Sequence, residues 1–432
     1  MRGFVGVCLA VIAIPACVMA HELTVDQAIA EAKIQSPILQ KAEATLAQAK
    51  WQKEVQWGQA YLPKLSANAG HVLGHEYEVL DVPFGGETVS FPSIYPTTVY
   101  GLKASLPLFD GFANGAAVEA AEQTVVAAQQ AVDHVRFRVE ESVRLAFYKA
   151  LTAHDMQAVT THHVEALQEQ FKQVQNQKRG GRATDYDVLR VQVKLSEATL
   201  EAADAKDAVA TARQTVTQLL GKTTDDRTLV GALPTPDIKM VDALVFDPTL
   251  RARSDLNALA ARKQALEKAE GTQKPWYLPE LSAVGSYDAY NNRNSAVFGD
   301  GFRTAYQTAL VAHWTLFDGQ VGLAKVQALK AQEIELDSEI QAAKLAAYAD
   351  FDRWKKTFKS NVLRFQVKTL DAKRSQESVR LVKLEALAGT RTQTEVLDAR
   401  LDLFLSDAGK LKAQMNAVEA LINLEMILGR RL

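Results

Sequence analysis

Cysteine is nearly absent from this chain of 432 residues: only Cys8 and Cys17 occur. Both lie in an apolar leader. A chain cleaved after that leader has no thiol, so neither disulfides nor cysteine-ligated metals hold it together. Aromatic residues make up 7% and the net charge is −2. So small a charge gives no electrostatic pull toward nucleic acid or an anionic surface. No phosphate-binding glycine loop, nucleophile elbow or zincin motif is present, which argues against an enzyme and against nucleotide hydrolysis. The histidine groupings are His71-x3-His75 and His162-His163. Residues four apart on a strand sit about 13 Å from one another, too far to share a metal. Carboxylate partners are sparse as well, so neither a metal site nor a cofactor is expected. After the leader, no segment approaches the ~20 consecutive apolar residues of a membrane helix. A mature chain of this kind that crosses a membrane does so with strands.

The leader reads as residues 1–20. Arg2 is its early charge, Phe4 to Ile14 is an apolar run, and Val18-Met19-Ala20 closes it with a small-x-small pattern. This is the form of a secretory signal peptide cleaved before His21. Ile14-Pro15-Ala16-Cys17 offers a second reading, a lipobox with Cys17 lipidated, which Pro15 fits poorly.

What the chain does have is a duplication. Tyr61-Leu62-Pro63-Lys64-Leu65-Ser66 returns as Tyr277-Leu278-Pro279-Glu280-Leu281-Ser282. Leu108-Phe109-Asp110-Gly111 returns as Leu316-Phe317-Asp318-Gly319, Val188-Leu189 as Val396-Leu397, and Leu220-Gly221 as Leu428-Gly429. The last three pairs share one offset, so a large unit is written twice. The reading gives a first repeat at 21–222, a proline-bearing link at 223–249 and a second repeat at 250–432.

Each repeat contains long helices. Val118, Ala121, Val125, Ala128, Val132, Val135 and Val139 step by three and four residues, and the row continues through Val143 and Ala146. Val188, Val191, Leu195, Ala198, Ala202, Ala205, Val209, Ala212, Val216 and Leu219 do the same, as do Leu397, Leu401, Phe404, Ala408, Leu411, Met415, Val418 and Ile422. This is the spacing of coiled-coil packing. The long helical hairpins are expected at about 112–220 and 320–428, with tips near 179–184 and 388–392 where Gly180-Gly181 and Gly389 interrupt. A helix of about 60 residues is about 90 Å long, more than a globular domain needs. Shorter helices are expected over Val25 to Gln59 and about Leu250 to Gln273.

Between the short and long helices lie alternating segments. Tyr100, Leu102, Ala104, Leu106 and Leu108 alternate with smaller or polar residues. Tyr306, Thr308, Leu310, Ala312, Trp314 and Leu316 follow the same parity. These read as barrel strands at about 98–109 and 303–317, with partners at about 64–78 and 281–290 and loops at 81–96 and 291–301. Four strands do not close a barrel with a lumen, so strands are pooled among several chains.

The order helix, strand, strand, long hairpin, taken twice, resembles the TolC family of outer-membrane efflux and secretion channels. The resemblance covers about residues 22–430. It rests also on Tyr-Leu-Pro before the first strand, Leu-Phe-Asp-Gly after the second, and Gly389-Thr390-Arg391-Thr392 followed by Glu395-Val396-Leu397-Asp398-Ala399. It implies a mainly α fold with a transmembrane β-barrel portion. It implies a homotrimer whose chains form a twelve-stranded barrel in the outer membrane and a twelve-helix periplasmic tunnel closed at its inner end at rest. The partners it implies are outer membrane lipid, a periplasmic adaptor (membrane fusion) protein and an inner-membrane transporter of RND, ABC or MFS type, with no nucleic acid.

Taken alone, Glu395 and Asp398 are solvated charges on a helix face and Arg391 is a surface residue at a helix start. The resemblance instead makes Glu395 and Asp398 the carboxylates of the periplasmic constriction, with Glu395 standing where aspartate is usual. It makes Asp187 and Arg391 a lock between neighbouring protomers. The family's tip tyrosine is missing, with Ala386 in its place. The function expected is a passive exit duct for a tripartite efflux pump or a type I secretion system. The alternative is a secreted coiled-coil spacer or adaptor with a small soluble sheet.

Overall fold

A computed structural model of the chain describes residues 22–73, 79–92, 98–273, 277–291 and 301–432. The leader with Cys8 and Cys17 lies outside these residues. So do His75 and most of the loop expected at 291–301; the strand expected at 64–78 ends at His71, short of that bound, and only 74–78 of its expected range lie outside. In chain order the elements are β1 (Glu22–Leu23), α1 (Val25–Gln35), α2 (Pro37–Tyr61), β2 (Lys64–His71), β3 (Val79–Phe84), β4 (Glu87–Pro92), β5 (Thr98–Phe109), α3 (Ala113–Arg179) and α4 (Asp185–Leu219). They continue with β6 (Thr228–Leu229), α5 (Lys239–Asp242), α6 (Ser254–Gln273), β7 (Glu280–Asn291), β8 (Phe302–His313), α7 (Val321–Leu387) and α8 (Gln393–Leu428). The chain divides into two compact units. One comprises the residues up to Gln40 with Arg136–Phe246 and Ala349–Leu432; the other comprises Lys41–Val135 and Asp247–Tyr348.

The second unit holds the main sheet. Its four strands run in the order β2-β5-β7-β8, every neighbour antiparallel. The register lines up Ala67, Leu102, Tyr287 and Tyr306 in one row and Leu106, Ala283 and Leu310 in another. Rows one residue away carry Ser66, Lys103, Ser286 and Gln307, then Asn68, Gly101 and Asp288. Because side chains alternate between faces, one face is apolar and the other polar. Among the described residues nothing covers the apolar face: Leu65, Leu102, Tyr306 and Leu310 are all exposed. On the polar face Gly101 leaves room for Asn68 and Asp288, whose side chains occupy the place of a Cβ.

Leu-Phe-Asp-Gly marks the passage from strand to helix. Gly111 and Phe112 are both left-handed, at φ 67 and 72, as are Gly319 and Gln320, at φ 69 and 68. The aspartate then caps the helix that follows. Asp318 accepts from the Gln320 N–H at 2.9 Å and the Gly322 N–H at 2.6 Å, and Asp110 accepts from the Asn114 N–H.

Four expectations need correction. The helix expected over Val25 to Gln59 is two helices, because Pro37 crowds the residue before it and holds Ser36 at φ −62, ψ 120. The helix expected from about Leu250 starts at Ser254, since Leu250 is itself left-handed at φ 47. The segment 81–96 is not simply a loop: β3 and β4 pair antiparallel across Gly85-Gly86, whose φ values of 63 and 95 suit a tight two-residue hairpin turn. The strand expected to reach 317 ends at His313, where the Trp314 indole N–H turns aside to the Tyr277 carbonyl at 2.9 Å.

The first unit is helical, apart from the short parallel pair β1 and β6. Along α4 every residue of the row from Val188 to Leu219 is buried or half-buried. Leu167, Val174, Val191, Ala198 and Leu397 form one apolar cluster that draws on α3, α4 and α8. A second is built from Phe351, Phe358 and Val362 of α7, Ala417, Ala420, Leu424 and Leu428 of α8, and Val241 of α5. Glu31, Asp225, Lys222 and Arg227 tie α1 to the segment after α4, with Arg227 Nη1 2.6 Å from Glu31 Oε1. The Arg227 guanidinium holds the Glu31 and Asp225 carboxyls down to about 2.

Candidate functional site

The residues singled out above gather at the tips of the two long hairpins, all within the first unit. Both tips are made the same way. At the first, α3 ends in a left-handed Gly181 at φ 71, and the Arg182 N–H closes back onto the Gln177 carbonyl at 2.8 Å. Thr184 then caps α4. Its hydroxyl oxygen accepts the Asp187 N–H at 3.2 Å, and Asp187 Oδ2 accepts the Thr184 N–H at 2.8 Å and its hydroxyl at 2.6 Å. At the second, α7 ends at a left-handed Gly389, φ 81, and the Thr390 N–H reaches the Glu385 carbonyl at 3.0 Å. Thr392 and Glu395 repeat the reciprocal cap, with Glu395 Oε2 accepting the Thr392 N–H at 2.8 Å.

Asp187 and Glu395 are therefore equivalent residues in two copies of one device. Each carboxylate is ionised more readily than usual. The Thr184 hydroxyl and N–H lower Asp187. The Thr392 N–H, then Arg391 and the Thr392 hydroxyl, lower Glu395 to about 2. A negative charge on the first turn also suits the helix dipole.

Arg391 is held within its own hairpin. Its Nη1 donates to Glu395 Oε1 at 2.8 Å and its Nε to Glu385 Oε2 at 2.9 Å. Among the described residues no hydrogen bond or ion pair joins Arg391 to Asp187 inside one chain. Asp398 stands one turn beyond Glu395, with its side chain 64% exposed and its Oδ1 3.7 Å from Arg190 Nη2. Ala386 donates no side-chain bond, and its carbonyl serves the turn by accepting the Gly389 N–H at 3.2 Å.

Sequence reasoning missed Arg190, Thr394, Gln170, Gln177 and Gln393. Arg190 Nη1 donates to Thr394 Oγ1 at 2.9 Å, and Gln393 bonds to both Gln170 and Gln177. A signal was available, since Gln170 and Gln177 are seven residues apart on a coiled-coil helix. Of the histidines, His71 Nδ1 lies 2.8 Å from Thr98 Oγ1, His162 lies 3.2 Å from Glu165, and His163 stacks on Phe404.

The two halves of the chain also match known proteins. The family model described as outer membrane efflux protein matches residues 28–222 and again residues 246–430. The chain belongs to the outer membrane efflux protein family. Its sequence is 28% identical to Protein CyaE of Bordetella pertussis over 261 residues, 56% of this chain and 53% of that protein. The match thus spans about half the length of that relative. VceC of Vibrio cholerae has the same fold, with a TM-score of 0.75 at 15% identity over 94% of this chain and 96% of its own. The open state of the Neisseria gonorrhoeae MtrE outer membrane channel gives 0.72 at 18% identity over 94% and 89%. The outer membrane efflux protein fold, with its two repeats and its barrel strands, is the fold of this chain. Family membership makes it an outer membrane efflux protein rather than an enzyme.

Proposed function

We propose that three copies of this chain form a passive exit duct, opened and closed at the hairpin tips. The observation that carries the reading is the open four-stranded sheet. One face is apolar and exposed, the other is polar, and among the described residues the outer edges of β2 and β8 have no strand partner. Unpaired backbone groups are not tolerated in hydrocarbon. Three sheets joined edge to edge satisfy every strand in a twelve-stranded barrel with a polar lumen. The long hairpins then line the periplasmic tunnel. No motif in the chain supplies energy, so an inner-membrane transporter of RND, ABC or MFS type and a periplasmic adaptor deliver the cargo of an efflux pump or a type I secretion system.

At the tips, Glu395 and Asp398 from three copies would surround a narrow opening with carboxylates, favouring cations and repelling anions. Asp187 of one copy would meet Arg391 of the next. A charge-assisted bond of that kind is worth about 1.5–3 kcal/mol when partly desolvated. Each partner already has ligands in its own hairpin, so the lock competes with those contacts and a docking partner can tip the balance. A related fold captured as an open channel, that of MtrE, supports a duct with two states.

Planar-bilayer conductance of the detergent-solubilised protein, with oligomer mass measured on the same sample, tests the reading. A trimer with small cation-selective conductance is expected. A water-soluble species without conductance would end it. Asp187→Ala with Arg391→Ala should raise conductance several-fold. Glu395→Ala with Asp398→Ala should shift the reversal potential toward zero, and an unchanged potential would remove these carboxylates from the lumen.

A further inference from the structure

Helix α3 carries His163, Gln170 and Gln177 at intervals of seven, and each meets α8. Gln177 Oε1 accepts from Gln393 Nε2 at 2.9 Å, and Gln170 Nε2 donates to Gln393 Oε1. His163 stacks on Phe404 with ring centroids 4.4 Å apart. Beside this row, Arg190 of α4 reaches Thr394 and Asp398, and Glu169 Oε2 lies 3.5 Å from Lys383 Nζ and 3.8 Å from Arg400 Nη2. Near the tips these polar contacts join the second hairpin to the first, beside the apolar cluster of Leu167, Val174, Val191, Ala198 and Leu397.

The cost of that choice is visible. Gln170 is 1% exposed, and its own Oε1 is buried with no hydrogen-bond partner. A buried amide with an unmade bond weakens the packing, and two apolar residues of the same shape would do no worse. A contact meant to be permanent gains nothing from such a group. A contact that must open gains a great deal, because amides that part in water rebond to water, whereas apolar faces do not. A polar residue in a coiled-coil seam also fixes register, because only one alignment pairs it. Neutral amides, finally, neither titrate nor respond to salt, unlike the Arg391 ion pairs beside them.

We propose that Gln170, Gln177 and Gln393 form a latch between the two hairpins of one chain. It sets their register when the tunnel's inner end is closed and releases when it opens. This rests on the gate reading above and adds to it a release point inside each protomer, distinct from the lock between protomers.

Two substitutions should act in opposite directions. Gln393→Ala strands the Gln170 amide and should raise the open probability in planar bilayers about fivefold, the effect of one net hydrogen bond. Gln170→Met with Gln393→Met replaces both partners by apolar groups of similar length and should lower it by a similar factor. Both shifts should persist from low to high salt. Samples are compared only where the oligomer mass equals that of the unsubstituted protein, so that misfolding is not read as gating. Shifts in the same direction would overturn the latch. So would no shift from either variant while Asp187→Ala with Arg391→Ala still opens the channel, an outcome that leaves the gate reading intact. If that charge pair is also silent, the gate reading falls and the latch with it.

Discussion

Thr184 and Thr392 show what one residue contributes at a tip. Each satisfies a helix N–H that would otherwise have no partner, and each orients a carboxylate three residues on. Thr392→Ala should cost α8 about 1 kcal/mol of local stability, read as faster hydrogen exchange in its first turn with the rest of the helix unaffected. The pH dependence has a definite sign. Glu395 is lowered from 4.5 to about 2, so its charged form stabilises the native tip fully above 4.5, and that stabilisation is lost as pH falls through about 2. Exchange in the first turn of α8 should therefore stay slow as the solution is acidified past the ordinary carboxylate range, and rise only near pH 2. A rise already complete at 4.5 would mean the cap is not formed. The pattern Thr-x-x-acid was legible at both tips, so the local role of Asp187 and Glu395 was open to sequence reasoning before any family likeness. The glutamine row was harder to see, because an amide reads the same on paper whether it faces a helix or water; the packing of α8 on α3 decides which.

At the scale of elements, small side chains set how closely the long helices approach. Ala198 is 3% exposed in a cluster with Val174, Val191 and Leu397. Ala198→Leu should overpack that seam and cost about 1–3 kcal/mol, seen as a lower unfolding temperature, whereas Glu201→Leu on the exposed side of the same helix should change little. The three-four spacing made the long helices legible, since a periodic pattern sustained over many turns has few rivals. Breaks and short pieces were less so. Pro37 and Gly85-Gly86 were in plain view, but each sits inside a stretch whose average character pointed the other way. Leu401 is a smaller exception, an apolar member of its row that is nonetheless 38% exposed.

At the scale of the molecule, the sheet faces carry the functional reading, and they can be tested against each other. Leu310 and Gln307 lie on the same strand and on opposite faces. Leu310→Arg should impair folding into lipid bilayers by about 2–4 kcal/mol if the residue sits near the midplane. Gln307→Arg should leave folding intact and alter conductance instead. If the two tolerate arginine equally well, the assignment of faces is wrong. The duplication made the order of elements legible because every inference could be checked in both repeats. The proposed assembly was not legible in the same way, since among the described residues the outer edges of β2 and β8 have no strand partner.

Those two edges are different surfaces, one from each repeat. A contact between unlike surfaces is head-to-tail, and such contacts either close into a ring or propagate without end. On the proposed assembly every intermediate short of the ring, a single copy or a pair, still offers two bare strand edges, the feature that seeds fibrous aggregation. The stable product and the hazard would then share one interface, and the angle between neighbouring sheets would choose between them. The yield of closed rings should therefore fall, and light scattering rise, when refolding is attempted without a bilayer or detergent to set that angle.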